Sequence, residues 1–98
     1  MTAEIPKTFH YCWFGKKPLP KLAKTCLQSW QSIHPDFELK RWDESNSDLS
    51  HPFAEAAYKA KKWAFVADFV RFQVLANQGG IYMDTDMLLL KPITEPLK

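Results

Sequence analysis

Two aspartates separated by one residue, Asp84 and Asp86, are the strongest candidates for chemistry in this 98-residue sequence. In an extended chain, residues i and i+2 project to the same side, so the two carboxylates would form a hard oxygen site for Mg²⁺ or Mn²⁺. A metal held by so few protein ligands keeps positions open for phosphate oxygens, and it can neutralise the charge that develops on a departing diphosphate.

The alternative is a pair of exposed loop aspartates, because a bare D-x-D is frequent by chance. The flanking sequence favours the metal. Gly79-Gly80 stands ahead of a short predicted strand, residues 81–83, and a second apolar strand is predicted over residues 87–90. Uncompensated charge between two apolar segments would be costly. Tyr82 alternates with Ile81 in the first of these strands, which favours packing over catalysis.

A second candidate pair, Asp68 and Arg71, lies within an apolar run over residues 63–78 that predicts a helix ending at the double glycine. Three residues apart, the two side chains share a helix face. Because a helix that is apolar nearly all round is usually buried, one interpretation is a buried ion pair. The other is that both groups hydrogen-bond the hydroxyls of a sugar, and the two interpretations are compatible.

The elements that must position these residues alternate between strand and helix. Hydrophobic period and turn residues predict strands over residues 7–14, 37–42, 81–83 and 87–90, and helices over residues 20–33, 52–62 and 63–78. This order predicts an α/β layer architecture with a largely parallel sheet. Ligands bind such sheets at the carboxyl ends of the strands, where Trp13, Trp42-Asp43 and the D-x-D are expected to converge. Trp13 is interpreted either as a core residue or as a stacking platform for a flat base.

Composition narrows the class of protein. The length predicts one domain, and a net charge of +2 with scattered basic residues argues against nucleic acid as a partner. Cys12 and Cys26 lack metal-ligand spacing and are expected to be free thiols in a reducing compartment. The sequence shows neither a signal peptide nor an apolar run of membrane-spanning length. We therefore expect a cytoplasmic location, with peripheral attachment at the inner membrane face as an option.

These residues together resemble the D-x-D glycosyltransferases of family 32, which include capsular-polysaccharide transferases and yeast initiating mannosyltransferases. The resemblance is carried by IPK at residues 5–7, HYCWFG at residues 10–15, ADFVR at residues 67–71 and GGIYMDTD at residues 79–86. It implies a Rossmann-like fold of the GT-A type. It also implies a nucleotide-sugar donor such as a UDP- or GDP-hexose, a glycan or other hydroxyl acceptor, and retention of anomeric configuration.

The same resemblance implies a role for each candidate residue. Trp13 matches the position that stacks on the nucleotide base, and Asp68 and Arg71 match residues that hold the donor sugar. Asp84 and Asp86 match the metal and diphosphate-ribose ligands and are thereby the candidate catalytic residues. Tyr82, within the same matched stretch, is retained with Asp84 as a candidate substrate-binding residue.

Domains of this family extend well past the D-x-D, whereas this sequence ends at Lys98. We therefore expect residues 1–98 to form the N-terminal donor-binding part of a GT-A domain, truncated after the motif and inactive in transfer by itself. Two further hypotheses are a module that binds nucleotide sugar or metal without transferring anything, and a degenerate domain that self-associates through an unpaired sheet edge.

Overall fold

The computed structural model describes residues 6–89. In chain order these residues form β1 (Thr8–Cys12), α1 (Lys21–Ile33), β2 (Glu38–Trp42), α2 (Pro52–Lys59), α3 (Trp63–Gln78) and β3 (Ile81–Tyr82). The three strands pair in parallel in the order β2-β1-β3. The predicted α/β class with a parallel sheet is confirmed.

The helices cover both faces of the sheet because residues in a strand alternate between faces. Phe9 and Tyr11 of β1 pack with Trp30 of α1 on one side. Cys12, on the opposite side, packs with Val66 and its neighbours on α3. The central strand is therefore buried on both faces, and it carries the two cores that hold its carboxyl end in place.

Helix α3 is buried along one face only. Val66, Val70 and Val74 recur every four residues and turn that face to the sheet. Phe65 and Phe72 are 52% and 70% exposed, so the expectation of a helix buried nearly all round is wrong. The apolar composition of α3 therefore predicted more burial than the structure shows, although Ala67 and Phe69 are partly buried against the core.

The strand predicted over residues 87–90 is also wrong for the residues that the structure describes. Residues 87–89 have no strand conformation, and Leu90 lies outside the described range. The segment instead turns onto α1, where the Trp30 indole nitrogen donates to the Met87 carbonyl at 2.6 Å and the Leu89 amide donates to Ser29 Oγ at 2.9 Å. These hydrogen bonds to side chains of α1 take the place of the main-chain hydrogen bonds that a strand would make with a neighbouring strand.

Two expectations from composition can be compared with the described residues. Cys12 and Cys26 are free, as predicted, and the structure shows that both are buried. Within residues 6–89, no helix has the length and apolar character that crossing a bilayer requires.

Candidate functional site

A cavity of about 490 Å³ opens at the carboxyl ends of β1 and β3. Its walls are formed by Cys12, Trp13, Phe14, Gly15, Lys17, Trp63, Ala64, Ala67, Tyr82, Asp84, Thr85 and Asp86. The convergence expected from parallel strand ends thus brings Trp13, Tyr82 and the D-x-D to one site. Asp68, Arg71 and the Trp42-Asp43 pair are outside this lining set.

The D-x-D occupies a turn rather than an extended strand. The ladder continues past β3 only through the Met83 amide, which donates to the His10 carbonyl at 2.8 Å. The chain then turns, and the Met87 amide donates to the Asp84 carbonyl at 3.0 Å. Extended geometry was therefore the wrong reason to place Asp84 and Asp86 together, although both line the same cavity.

The two carboxylates suit a divalent ion of the Mg²⁺ or Mn²⁺ class. Both Asp84 and Asp86 are exposed, and neither takes part in an ion pair within residues 6–89. The same part of the chain contains no cluster of three His, Cys, Asp or Glu side chains that could enclose a metal. Two oxygen ligands facing a cavity leave the remaining coordination positions to water or phosphate, which is how Mg²⁺ usually binds.

Tyr82 and Cys12 form the interior wall of the cavity. The Cys12 thiol donates to the Ala67 carbonyl at 4.0 Å. Burial raises the pKa of Cys12 to about 11 and raises the pKa of Tyr82 well above its ordinary value of 10.0. Both groups are therefore neutral at pH 7, so Cys12 is a poor nucleophile and Tyr82 acts as a neutral wall residue.

Asp68 and Arg71 form an exposed pair at the edge of the site. Arg71 Nη2 lies 3.6 Å from Asp68 Oδ1, and the Arg71 and Asp68 side chains are 36% and 57% exposed. The interpretation as a buried ion pair is wrong, since α3 turns these residues away from its valine face. Arg71 still reaches the cavity wall, because its guanidinium carbon lies 5.4 Å from the centre of the Tyr82 ring.

Trp13 follows β1 directly and is half-buried at the cavity. Its backbone amide donates to the Trp42 carbonyl at 2.9 Å, which extends the pairing with β2 by one residue. Its indole nitrogen donates to the Lys17 carbonyl at 2.7 Å. These two bonds fix both the backbone and the ring, and they hold the indole against the backbone of Lys17, a residue that also lines the cavity.

Sequence reasoning missed the residues that fix the loop after β1. The Glu44 carboxylate accepts hydrogen bonds from the Gly15 amide at 2.5 Å and from the Tyr58 hydroxyl at 3.0 Å. Gly15 has a φ of +104°, and a Cβ there would lie 3.0 Å from the Trp63 ring. The loop is therefore closed onto Trp63, which lines the cavity as a second tryptophan. Helical spacing from Ala67 is the one signal that could have found Trp63.

The parallel sheet with a D-x-D at its carboxyl edge is compatible with the GT-A-like class of nucleotide-sugar-binding domains. Comparison of sequences gives the family. Residues 20–98 match the family described as "Glycosyltransferase sugar-binding region containing DXD motif", and the chain belongs to it.

Several curated proteins are similar to this chain. The initiation-specific alpha-1,6-mannosyltransferase of Candida albicans is 30% identical over 102 residues, covering 93% of this chain and 26% of that protein. Inositol phosphoceramide mannosyltransferase 3 of Schizosaccharomyces pombe is 32% identical over 91 residues, covering 88% and 25%. An uncharacterized glycosyltransferase of Acanthamoeba polyphaga mimivirus is 29% identical over 94 residues, covering 89% and 38%. The chain thus spans between 25% and 38% of the length of these three relatives.

Proposed function

We propose that this chain is the donor-binding part of a glycosyltransferase, which moves a hexosyl group from a UDP- or GDP-sugar to a hydroxyl of a glycan or glycoconjugate. The observation that carries the proposal is the single cavity that holds Trp13, Asp84 and Asp86 at neighbouring strand ends. Family membership supports the reaction class, and the mannosyltransferase names of two relatives favour mannose as the hexose.

Each part of the donor has a complementary surface in this assignment. The base stacks on the Trp13 ring, with Trp63 as a second aromatic wall of the same cavity. Asp84 and Asp86 hold Mg²⁺ or Mn²⁺, which neutralises charge on the departing diphosphate. Lys17 is a lining residue of the cavity, and its ammonium group would add positive charge for the phosphates. Binding, orientation and charge neutralisation are therefore the tasks of this segment.

The sugar is assigned to the edge of the cavity where Asp68 and Arg71 lie. Both side chains are exposed and separated by 3.6 Å, so each has capacity left for hydroxyl groups. The resemblance further supports retention of anomeric configuration and a role in glycan or capsular-polysaccharide synthesis. A cytoplasmic location remains the proposal made from the sequence. A second candidate function is nucleotide-sugar binding without transfer. The chain's coverage of only 25–38% of the three relatives favours that candidate for this segment acting alone.

The test of the proposed function is calorimetric titration of the chain with UDP- and GDP-hexoses, with and without Mn²⁺. We expect binding that Mn²⁺ strengthens, because the two carboxylates leave most metal positions for phosphate oxygens. A product assay with oligosaccharide acceptors then separates the two candidate functions. Turnover supports a transferase, whereas metal-dependent binding without turnover supports the binding module. Absence of any nucleotide-sugar binding would contradict both.

Replacing Asp68 with asparagine should weaken binding of the nucleotide sugar and spare the bare nucleoside diphosphate. A hydrogen bond to a charged group contributes about 1.5–3 kcal/mol, which corresponds to roughly 10- to 150-fold in affinity. Stability should change by less than about 1 kcal/mol because the ion pair is exposed. Glu55→Gln is the matched control, since Glu55 belongs to an exposed helical ion pair with Lys59 away from the cavity. Equal losses for both ligands would remove the sugar contact from the proposal.

Replacing Trp13 with alanine should weaken binding of the nucleoside diphosphate by roughly 5- to 150-fold, since base–aromatic stacking contributes about 1–3 kcal/mol. Trp13→Phe keeps a stacking face and should recover most of the affinity. Circular dichroism and thermal unfolding provide the control. If Trp13→Ala unfolds the protein, or if it binds nucleotide normally, Trp13 is a core residue and does not stack on the base.

A further inference from the structure

His10 is a buried histidine in the middle of the central strand, with only 1% of its surface exposed. It pairs with Lys40 of β2 on one side and with Tyr82 of β3 on the other. A polar ring at this depth is costly unless both nitrogens have hydrogen-bond partners. Both do, and the partners come from elements on opposite sides of β1.

The chemistry of the partners fixes the tautomer of the His10 ring. The Gly79 carbonyl, 2.9 Å from Nε2, can only accept, so Nε2 carries the hydrogen. The Trp42 indole nitrogen, 3.1 Å from Nδ1, can only donate, so Nδ1 accepts. Burial lowers the pKa of His10 from 6.5 against the raising effect of the Gly79 bond, which keeps the ring in this neutral form.

The segment that His10 contacts leads directly into the D-x-D. β3 has two residues, and so short a strand is weakly held by its ladder alone. The His10 carbonyl accepts from the Met83 amide at 2.8 Å, which adds one main-chain bond. The imidazole also lies against Gly80, where a Cβ would be 2.9 Å from Nε2. His10 therefore contacts the segment before Asp84 through its backbone and its side chain.

We propose that His10 is a positioning residue of the D-x-D site: its bond to the Gly79 carbonyl fixes the turn between α3 and β3, and this sets the placement of Asp84 and Asp86 at the cavity. The inference rests on the proposed metal-dependent donor binding. The Trp42 indole donates to Nδ1 from the other side, which agrees with the hydrogen on Nε2 that the Gly79 carbonyl already requires.

Two substitutions separate the two bonds of the ring. His10→Asn places an amide oxygen near the Nδ1 position, so it keeps the acceptor for Trp42 and loses the donor to Gly79. His10→Gln places an amide nitrogen near the Nε2 position, so it keeps that donor and leaves the Trp42 indole without its acceptor. Each variant loses one buried hydrogen bond, and we expect similar losses of stability from the two. Trp42→Phe removes the indole donor and leaves the ring and Gly79 in contact.

The measured quantity is the ratio of nucleoside diphosphate affinities with and without Mn²⁺. We expect His10→Asn to lower this ratio about tenfold, as for one lost buried hydrogen bond, whereas His10→Gln and Trp42→Phe keep it within about threefold. Amide hydrogen exchange across residues 79–86 should accelerate in His10→Asn and stay near the wild-type rate in His10→Gln.

Equal losses of the Mn²⁺ effect in His10→Asn and His10→Gln, in proportion to stability, would overturn the inference and leave His10 as a core residue. If His10→Asn does not fold, His10→Gln decides, since loss of the Mn²⁺ effect there contradicts the proposal and its retention supports it. If the wild-type protein shows no Mn²⁺ effect, the proposed function fails. The exchange rates of residues 79–86 then decide the positioning role by themselves, and equal rates in the two variants would overturn it.

Discussion

Asp86→Asn should abolish the strengthening of nucleotide binding by Mn²⁺ while the fold remains intact. Asp86 is exposed on the turn after β3, so an isosteric amide has no packing cost there. Within residues 6–89, it removes one of the two acidic residues that line the cavity. Loss of a residue that only supports a metal ligand lowers metal affinity about 10- to 100-fold. Loss of one of two direct carboxylate ligands should therefore lower the affinity by at least about 100-fold. Asp84→Asn should behave in the same way.

The experiment is calorimetry with a nucleoside diphosphate at fixed Mn²⁺ for the wild type and each variant. Asp48→Asn is the matched control, because Asp48 is a loop carboxylate that accepts from the Ser50 amide at 3.0 Å and lies outside the cavity. That variant should keep the full Mn²⁺ effect. Unchanged metal-dependent affinity in Asp86→Asn would remove the metal assignment from this motif.

Strand and helix periodicity was enough to predict the sheet and the place of the site. Parallel strands with apolar cores have their carboxyl ends at one edge, so Trp13 and the D-x-D could be placed together without coordinates. The Gly79-Gly80 stop was also predictable, because both residues have positive φ angles at the end of α3. These features depend on local pattern and on rules of chain connection, which a single sequence contains.

Features that depend on partners distant in sequence could not be predicted in this way. The sequence pattern predicts a strand at Met87, whereas its carbonyl in fact accepts a hydrogen bond from the distant Trp30 of α1. Glu44 and Gly15 meet across 29 positions of sequence, and no spacing rule connects them. The exposure of Asp68 depends on which face of α3 meets the sheet, and composition alone left that face undetermined. No spacing pattern in the sequence marks His10 as a contact to this turn, and only its two ring contacts show which segment it holds.

Gly80→Ala should be among the most destabilising single substitutions in this chain. Its φ of +91° is unfavourable for any side chain, which costs about 1–3 kcal/mol. A Cβ would also lie 2.9 Å from the His10 ring and 3.0 Å from the Thr8 carbonyl oxygen, and overpacking of this kind costs about 1–3 kcal/mol more. Together these terms come to about 2–6 kcal/mol, which reaches the lower end of the total stability of about 5–15 kcal/mol that is typical of a domain. Urea denaturation of the wild type and of Gly80→Ala measures the loss of unfolding free energy.

Gly79→Ala is the matched comparison for Gly80→Ala. Gly79 also has a positive φ, +69°, with a ψ of −154°, a region that is almost exclusive to glycine. Among the residues that the structure describes, its Cβ would meet only the Pro6 ring, at 3.3 Å, and that contact can relax more easily than a backbone carbonyl. Gly79→Ala should therefore cost about 1–3 kcal/mol, the strain alone. If Gly79→Ala loses more stability than Gly80→Ala, backbone strain and not contact with β1 determines how much a side chain in this turn destabilises the protein. The close packing of Gly80 against His10 would then have no measurable part in holding the segment that leads to Asp84.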